Sequence, residues 1–150
     1  MKRSPYNLLQ EIYWPDTWKI LVCCMLVNRT TRIQVDKVRF ELFKRWPTAN
    51  KMMDAEWTEV ERVIRPLGFG TRRAKSLIRM STEFVTTEWT DPRELWGIGV
   101  YAGDAYRMFV LRKKVSNPSD KFLKVYDLWW RTGQIDETAF AASRLFNPDI

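Results

Sequence analysis

Histidine is absent from the 150-residue sequence, and cysteine occurs only twice, as the neighbours Cys23 and Cys24. Without histidine, zinc sites built from Cys and His are excluded, as are Ser-His and Cys-His catalytic pairs. Two cysteines are too few for an iron–sulfur cluster. Sequence neighbours rarely form a disulfide, so we interpret both as small core residues of a reducing compartment. Any chemistry must therefore come from carboxylates, Lys, Tyr or Ser.

Long apolar runs are also missing. The longest covers residues 20–27, which is too short to cross a bilayer. Lys2 and Arg3 are followed by Ser4-Pro5 rather than by the apolar stretch of a signal peptide. We therefore expect an intracellular protein with no membrane partner, in the nucleus of a eukaryote or in the cytoplasm or nucleoid of a prokaryotic or viral system.

Apolar residues, by contrast, are plentiful: 45% of the chain is hydrophobic, and it contains eight Trp and eight Phe. This is enough for one core, so residues 1–150 are predicted to form a single domain. Convincing strand alternation is absent and caps recur at short intervals, which predicts an all-α fold. The predicted helices cover 4–13, 18–27, 32–46, 49–55, 58–65, 71–84, 91–96, 101–111, 120–131 and 137–146.

Positive charge dominates the chain, with a net charge of +7 and an isoelectric point of about 9.6. Basic residues concentrate between Arg62 and Arg79 and at 112–114, whereas the last nineteen residues carry only Arg144. This charge favours an anionic partner such as a nucleic acid. A basic surface that merely keeps the protein in solution would have the same net charge.

One stretch, residues 95–102 (Leu-Trp-Gly-Ile-Gly-Val-Tyr-Ala), predicts a helix, a Gly-x-Gly turn and a second helix. Glycine allows close approach of another molecule, and a helix N-terminus presents free N–H groups to a phosphate oxygen. A second glycine turn, 66–70, leads into a basic helix start. Asp120 follows Tyr101 by 19 residues at another helix start, where Asp is also a favoured N-cap with no further role.

These features resemble the helix–hairpin–helix DNA glycosylases, in which a Leu-x-Gly-Ile/Val-Gly hairpin precedes a catalytic Asp. The chain is most similar to the thymine glycosylase domains of the methyl-CpG-binding-domain repair proteins. The likeness covers residues 3–131, and residues 132–150 are an extra helical segment. It implies two helical lobes with the active-site cleft between them. The matching stretches are 4–11, 18–21, 28–30, 66–68, 73–75 and 99–107.

The resemblance assigns Asp120 as the catalytic carboxylate, which stabilises positive charge on the sugar while the glycosidic bond breaks. It places Leu9, Gln10 and Tyr101 around a base flipped out of the duplex. Family members that also nick the strand carry Lys where this chain has Tyr101. The likeness therefore implies a monofunctional enzyme that hydrolyses the bond and leaves an abasic site.

The resemblance also implies a surface for double-stranded DNA, bound by a monomer. Arg29 would enter the gap left in the duplex, and Phe69 would wedge beside the orphan base. No cofactor is required, and a monovalent cation at the Gly97–Gly99 hairpin is the one candidate. The remaining residues expected at the DNA are Gly68, Gly70, Arg73, Gly97, Ile98, Gly99 and Lys121.

Departures from the family pattern leave the substrate open. Phe69 stands where Leu is usual, Phe122 where a Lys is usual, and Val100 replaces a common Lys. The preferred interpretation is excision of thymine or uracil opposite guanine. Three alternatives remain: the same fold acting on an oxidised, alkylated or modified base, a DNA-binding module in which Asp120 is only a cap, and an α-helical protein-interaction domain.

Overall fold

A computed structural model describes residues 1–146, and this part of the chain is helical, with no β-strand. The all-α prediction is confirmed. None of the helices in this part is long and apolar enough to cross a membrane. The α-helices are α1 Leu9–Tyr13, α2 Thr17–Leu26, α3 Arg32–Arg45, α4 Ala49–Met53, α5 Trp57–Ile64, α6 Gly70–Thr86, α7 Val100–Ala105, α8 Lys121–Thr132 and α9 Glu137–Ser143.

Helix α2 is the centre of the molecule, as its continuous apolar sequence predicts. Asp16 caps it by accepting a hydrogen bond from the Lys19 amide. The helix packs against α1, α3, α6 and α7. The indole N–H of Trp18 donates to the Ser81 hydroxyl at 2.9 Å, which fixes α2 against α6. Burial on every side explains why this helix shows no polar face.

The remaining helices form two lobes on either side of α2. Helices α3 to α6 pack on one another in the first lobe. In the second lobe, Phe109 stacks on Tyr126 of α8 with ring centroids 4.5 Å apart. Helix α9 joins this lobe because the Asp136 amide donates to the Tyr6 hydroxyl and the Ser143 hydroxyl donates to the Pro5 carbonyl. A cleft opens between the two lobes.

Three predicted helix starts are wrong. Ser4 does not cap α1, because Asn7 has a left-handed φ of 52° that interrupts the chain, and α1 begins at Leu9. Helix α5 begins at Trp57, one residue before the expected Thr58. Helix α6 begins at Gly70 instead of following a Thr71 cap, since Phe69 occupies the left-handed region directly before it. At α1 and α6, the left-handed backbone of Asn7 and Phe69 outweighs the cap preference of Ser and Thr.

Ser4 forms hydrogen bonds with the side chain of Glu11 instead of capping α1. The buried Glu11 carboxylate accepts hydrogen bonds from the Ser4 amide at 2.6 Å, the Ser4 hydroxyl at 2.8 Å and the Leu8 amide at 2.9 Å. Burial raises the pKa of Glu11, and the two amide hydrogen bonds oppose that shift. This carboxylate ties the extended N-terminal segment to α1, the helix that carries Leu9 and Gln10.

Replacing Glu11 by Ala is expected to lower the free energy of unfolding by about 1–3 kcal/mol, because two buried amides lose their acceptor. Chemical denaturation followed by circular dichroism measures the change. Glu41→Ala on the exposed face of α3 is the control and should shift stability by less than about 0.5 kcal/mol. Equal stability of Glu11→Ala and the wild-type chain would show that the Glu11 hydrogen bonds do not hold the segment.

Candidate functional site

The cleft between the lobes has a volume of about 1050 Å³. Its walls come from the end of α2, the loop into α3, the start of α6, the 95–99 hairpin and the start of α8. Its size suits a single nucleotide or drug-sized ligand. Of the residues singled out in the sequence, nine line it: Leu9, Gln10, Arg29, Phe69, Arg73, Gly97, Gly99, Tyr101 and Asp120.

Asp120 is the N-cap of α8, and its carboxylate accepts a hydrogen bond from the Leu123 amide at 3.0 Å. The side chain is half-buried and faces the cleft, where the positive end of the α8 dipole favours negative charge. The cap bond uses Oδ2, so Oδ1 can meet a molecule in the cleft. The capping role and a chemical role are therefore compatible in one side chain.

Gln10, Tyr101 and Cys24 form a hydrogen-bonded group at the base of the cleft. The Gln10 side chain is 3% exposed, and its amide nitrogen donates to the Tyr101 hydroxyl at 2.8 Å and to the Cys24 sulfur at 3.6 Å. Burial raises the pKa of Tyr101 well above its usual range, with Cys24 and Asp120 adding to the shift. Burial likewise raises the pKa of Cys24 to about 12. Both groups are therefore neutral at physiological pH, and the group can read polar edges without ionising.

The 95–99 hairpin is anchored by apolar side chains and open at its glycines. Leu95 and Ile98 are buried. Gly97 has φ of +78°, and a Cβ there would meet Met25 at 3.0 Å, so a side chain is excluded. A Cβ at Gly99 would meet nothing within 4 Å, which leaves room for another molecule. The exposed hairpin edge is held by the Trp96 amide, which donates to Glu83 of α6 at 2.9 Å.

Two residues with left-handed backbone face the cleft from loops. Phe69 has φ of 50° and is 65% exposed, and Arg29 has φ of 59° and is also exposed. Arg73 supports the first loop, since its Nε donates to the Gly68 carbonyl at 2.9 Å. Left-handed conformations are costly for residues other than Gly, Asn and Asp, and they cluster at functional loops. A large apolar side chain held in solvent beside a cleft is suited to contact a second molecule.

Comparison with known proteins identifies the family. The family model "HhH-GPD superfamily base excision DNA repair protein" matches residues 22–142. This chain belongs to that superfamily. The architecture agrees: a solved structure of a thermostable thymine-DNA glycosylase aligns over 95% of this chain and 69% of its own with a TM-score of 0.67 at 17% identity. The predicted two-lobed helix–hairpin–helix fold is confirmed.

Of three curated relatives of this HhH-GPD chain, two are DNA glycosylases by name. A methyl-CpG-binding domain protein 4-like protein of Arabidopsis thaliana is 42% identical over 107 residues, 71% of this chain and 24% of the relative. A thymine-DNA glycosylase of Aeropyrum pernix is 41% identical over 66 residues, 44% of this chain and 30% of the relative. A thymine/uracil-DNA glycosylase of Pyrobaculum aerophilum is 36% identical over 70 residues, 47% of this chain and 30% of the relative. The matches thus span between a quarter and a third of these relatives' lengths.

Four of the expected DNA-contacting residues of this HhH-GPD chain lie outside the cleft lining. The Ile98 side chain is 6% exposed and belongs to the core, so its contribution is to anchor the hairpin. Lys121 is exposed beside Asp120 but does not line the cleft. Gly68 and Gly70 shape the turn through the backbone. A Cβ at Gly70 would lie 2.7 Å from Glu61 Oε2, so this glycine is needed for packing.

The structure also brings residues to the cleft that the sequence did not single out as site residues. Cys24 touches Gln10, and Arg32, Phe122 and Phe146 line the same cleft as Asp120. The sequence indicated Phe122 only as a departure from the family pattern. It indicated Cys24 only as one of two core cysteines. Phe146 lies in the segment 132–150 that has no counterpart in the resemblance. The last four residues of that segment lie outside the described residues.

Proposed function

We propose that this chain is a monofunctional DNA glycosylase that removes thymine or uracil opposite guanine. The observation that carries the proposal is that Asp120 and the Gln10–Tyr101 pair line one cleft. The names of two relatives, thymine-DNA glycosylase and thymine/uracil-DNA glycosylase, support the substrate class. The partner is double-stranded DNA, and the protein is expected to be associated with DNA in the cell.

Recognition begins with the flipped pyrimidine, which enters the cleft beside Leu9, Gln10 and Tyr101. The Gln10 amide oxygen can accept a hydrogen bond from the Watson–Crick edge of the base, and the N–H that meets the Cys24 sulfur in the free protein is the available donor. Flipping costs a few kcal/mol and costs least at a mismatch. Arg29 and Phe69, already held in left-handed conformations, fill the gap in the duplex and stabilise the orphan guanine.

The reaction is hydrolysis of the N-glycosidic bond. The bond between the sugar C1′ and the base nitrogen breaks, and the electron pair leaves with the base. The resulting oxocarbenium-like positive charge is stabilised by the Asp120 carboxylate. A water oxygen then bonds to C1′, and the proton that water loses balances the proton taken up by the departing base. The products are an abasic site and a free pyrimidine.

The hairpin of residues 97–99 and the turn at 68–70 grip the strand through backbone phosphates, with Arg73 and Lys121 adding positive charge. A monovalent cation would fit at the hairpin. The Leu95 and Gly99 carbonyls each accept one backbone hydrogen bond, and each keeps a second lone pair for a cation. Such an ion would add positive charge beside the phosphate.

Tyr101 supports hydrolysis without strand cleavage. A lyase needs an amine to form a Schiff base with the sugar, and Tyr101 is a phenol whose pKa is raised well above its usual range. We therefore expect a fluorescent duplex carrying G·U or G·T to be cut only after alkali treatment. Strand nicking by the purified protein without alkali would contradict the monofunctional assignment.

The same assay separates the alternative substrates. Duplexes with oxidised guanine or an alkylated base are included because Phe69 and Phe122 depart from the family pattern. Preferential excision from one of these would keep the glycosylase proposal and replace the pyrimidine. Tight binding with no excision from any duplex would favour the DNA-binding module, and failure to bind DNA would favour the protein-interaction domain.

A further inference from the structure

Arg32, the first residue of α3, carries a buried donor without an acceptor. Its Nε donates to Asp36 at 2.9 Å and its Nη1 to the Asn7 carbonyl at 2.7 Å. Its Nη2 is buried and has no hydrogen-bond partner within residues 1–146. The side chain is 8% exposed and lines the cleft. A guanidinium N–H without an acceptor destabilises the state in which it is buried.

Phe146 covers this guanidinium. Its ring centroid lies 4.5 Å from the Arg32 guanidinium carbon and 5.9 Å from the Phe122 ring. Phe146 follows the end of α9 at Ser143, and the neighbouring Leu145 is 72% exposed. Phe146 also lies beyond the family match, which ends at residue 142. Displacing this ring would open the Arg32 guanidinium further to the cleft.

The charge around Arg32 favours an anion. Asp36 accepts hydrogen bonds from both Arg32 and Arg39, at 2.9 and 2.8 Å. Two guanidinium groups thus donate to the same carboxylate. Charge-assisted hydrogen bonds from a guanidinium fork to phosphate oxygens are among the stronger polar contacts in proteins. A DNA strand crossing the cleft brings such oxygens to the cleft lining, which includes Asp120.

We propose that Arg32 is a phosphate-binding residue of the cleft, exposed when the DNA strand displaces Phe146. The inference rests on the proposed DNA-glycosylase function and assigns a phosphate ligand in the cleft that Asp120 also lines. The Phe146 ring shields the guanidinium in the free protein, and a backbone phosphate replaces it in the complex, satisfying Nη2. The cover therefore weakens DNA binding without blocking it.

The test measures equilibrium affinity for a G·U duplex across a salt series, in an Asp120→Asn background that slows excision. Arg32→Gln should weaken binding and make the slope of log affinity against log salt shallower by about 0.9, the value for one lost phosphate contact. Arg32→Lys should keep the slope and recover part of the affinity. Phe146→Ala should tighten binding by about twofold to fivefold, since one cation–π stack no longer has to be broken. Its slope should stay unchanged.

The double variant that combines Arg32→Gln with Phe146→Ala tests whether the two residues act on the same phosphate contact. In Arg32→Gln the gain from Phe146→Ala should disappear, because the ring then covers nothing that binds phosphate. Arg131→Gln is the matched control: it removes another i,i+4 Arg–Asp pair, with Asp127, away from the cleft, and should leave the slope unchanged. Thermal melting confirms that each variant is folded.

Two results would overturn the assignment: an Arg32→Gln slope equal to that of the Asp120→Asn parent, or a Phe146→Ala gain that persists in the double variant. Measuring excision by the wild-type chain distinguishes a failure of the Arg32 assignment from a failure of the proposed function. If the wild-type chain removes uracil, they overturn only the role of Arg32. If the wild-type chain neither binds nor cuts the duplex, the proposed function fails first.

Discussion

Replacing Asp120 by Asn is expected to reduce single-turnover excision of uracil opposite guanine by about a hundredfold to a thousandfold, the loss typical of removing one preorganised electrostatic group. The fold should be unaffected, because Asn caps a helix as well as Asp does and can keep the hydrogen bond from the Leu123 amide. The change therefore removes charge beside the sugar without disturbing α8. Quenched single-turnover kinetics with alkali work-up measure the rate.

Asp136→Asn is the matched control for this experiment. Asp136 caps α9 by accepting a hydrogen bond from the Ala139 amide at 2.8 Å, the same local role that Asp120 has in α8, and it does not line the cleft. Its replacement should leave the excision rate unchanged. Similar excision rates for both Asn variants and the wild-type chain would show that Asp120 serves only as a helix cap.

Replacing Gln10 by Leu is the second change with a large expected effect. Leu has a similar volume but offers no polar atoms, so a bound pyrimidine would leave its Watson–Crick edge unpaired in a buried site. The cost is about 1–3 kcal/mol, or roughly tenfold to a hundredfold in kcat/KM for G·T and G·U duplexes. The loss should be smaller for binding to undamaged DNA, since the phosphate contacts are retained. Steady-state excision and fluorescence anisotropy give the two quantities.

Ser81→Ala is the control for Gln10→Leu. It removes a buried hydrogen bond of similar length, the one from the Trp18 indole at 2.9 Å, between α2 and α6. It should lower the melting temperature yet leave the ratio of excision to undamaged-DNA binding unchanged. If Gln10→Leu changed only stability in the same way, Gln10 would be a core residue rather than part of the base pocket.

Sequence reasoning could predict the fold because most helices are specified locally. Asp120 caps α8, as expected from its place before a helical run, and Asp16 and Thr31 cap α2 and α3. Local sequence patterns do not predict the role of a cap residue whose side chain bonds to a partner further along the chain. Ser4 bonds to Glu11, seven residues away, and no local rule indicates that pairing.

The candidate site could be predicted only through residues that match a known motif. Gln10, Tyr101 and Asp120 meet in one cleft as the resemblance implied, although they lie on three helices. Cys24 and Phe146 could not be predicted, because burial against Gln10 or Arg32 depends on tertiary packing. Ile98, a motif residue expected at the DNA, has its side chain in the core, and only the tertiary packing reveals that burial.

A crystal structure of Asp120→Asn bound to a duplex carrying G·U tests the central claim most directly. The account predicts a uracil nucleotide turned out of the stack, its base against Gln10 and Tyr101 and its C1′ in contact with the side chain of residue 120. A uracil that remained stacked in the duplex, or one turned into a surface remote from residue 120, would contradict it.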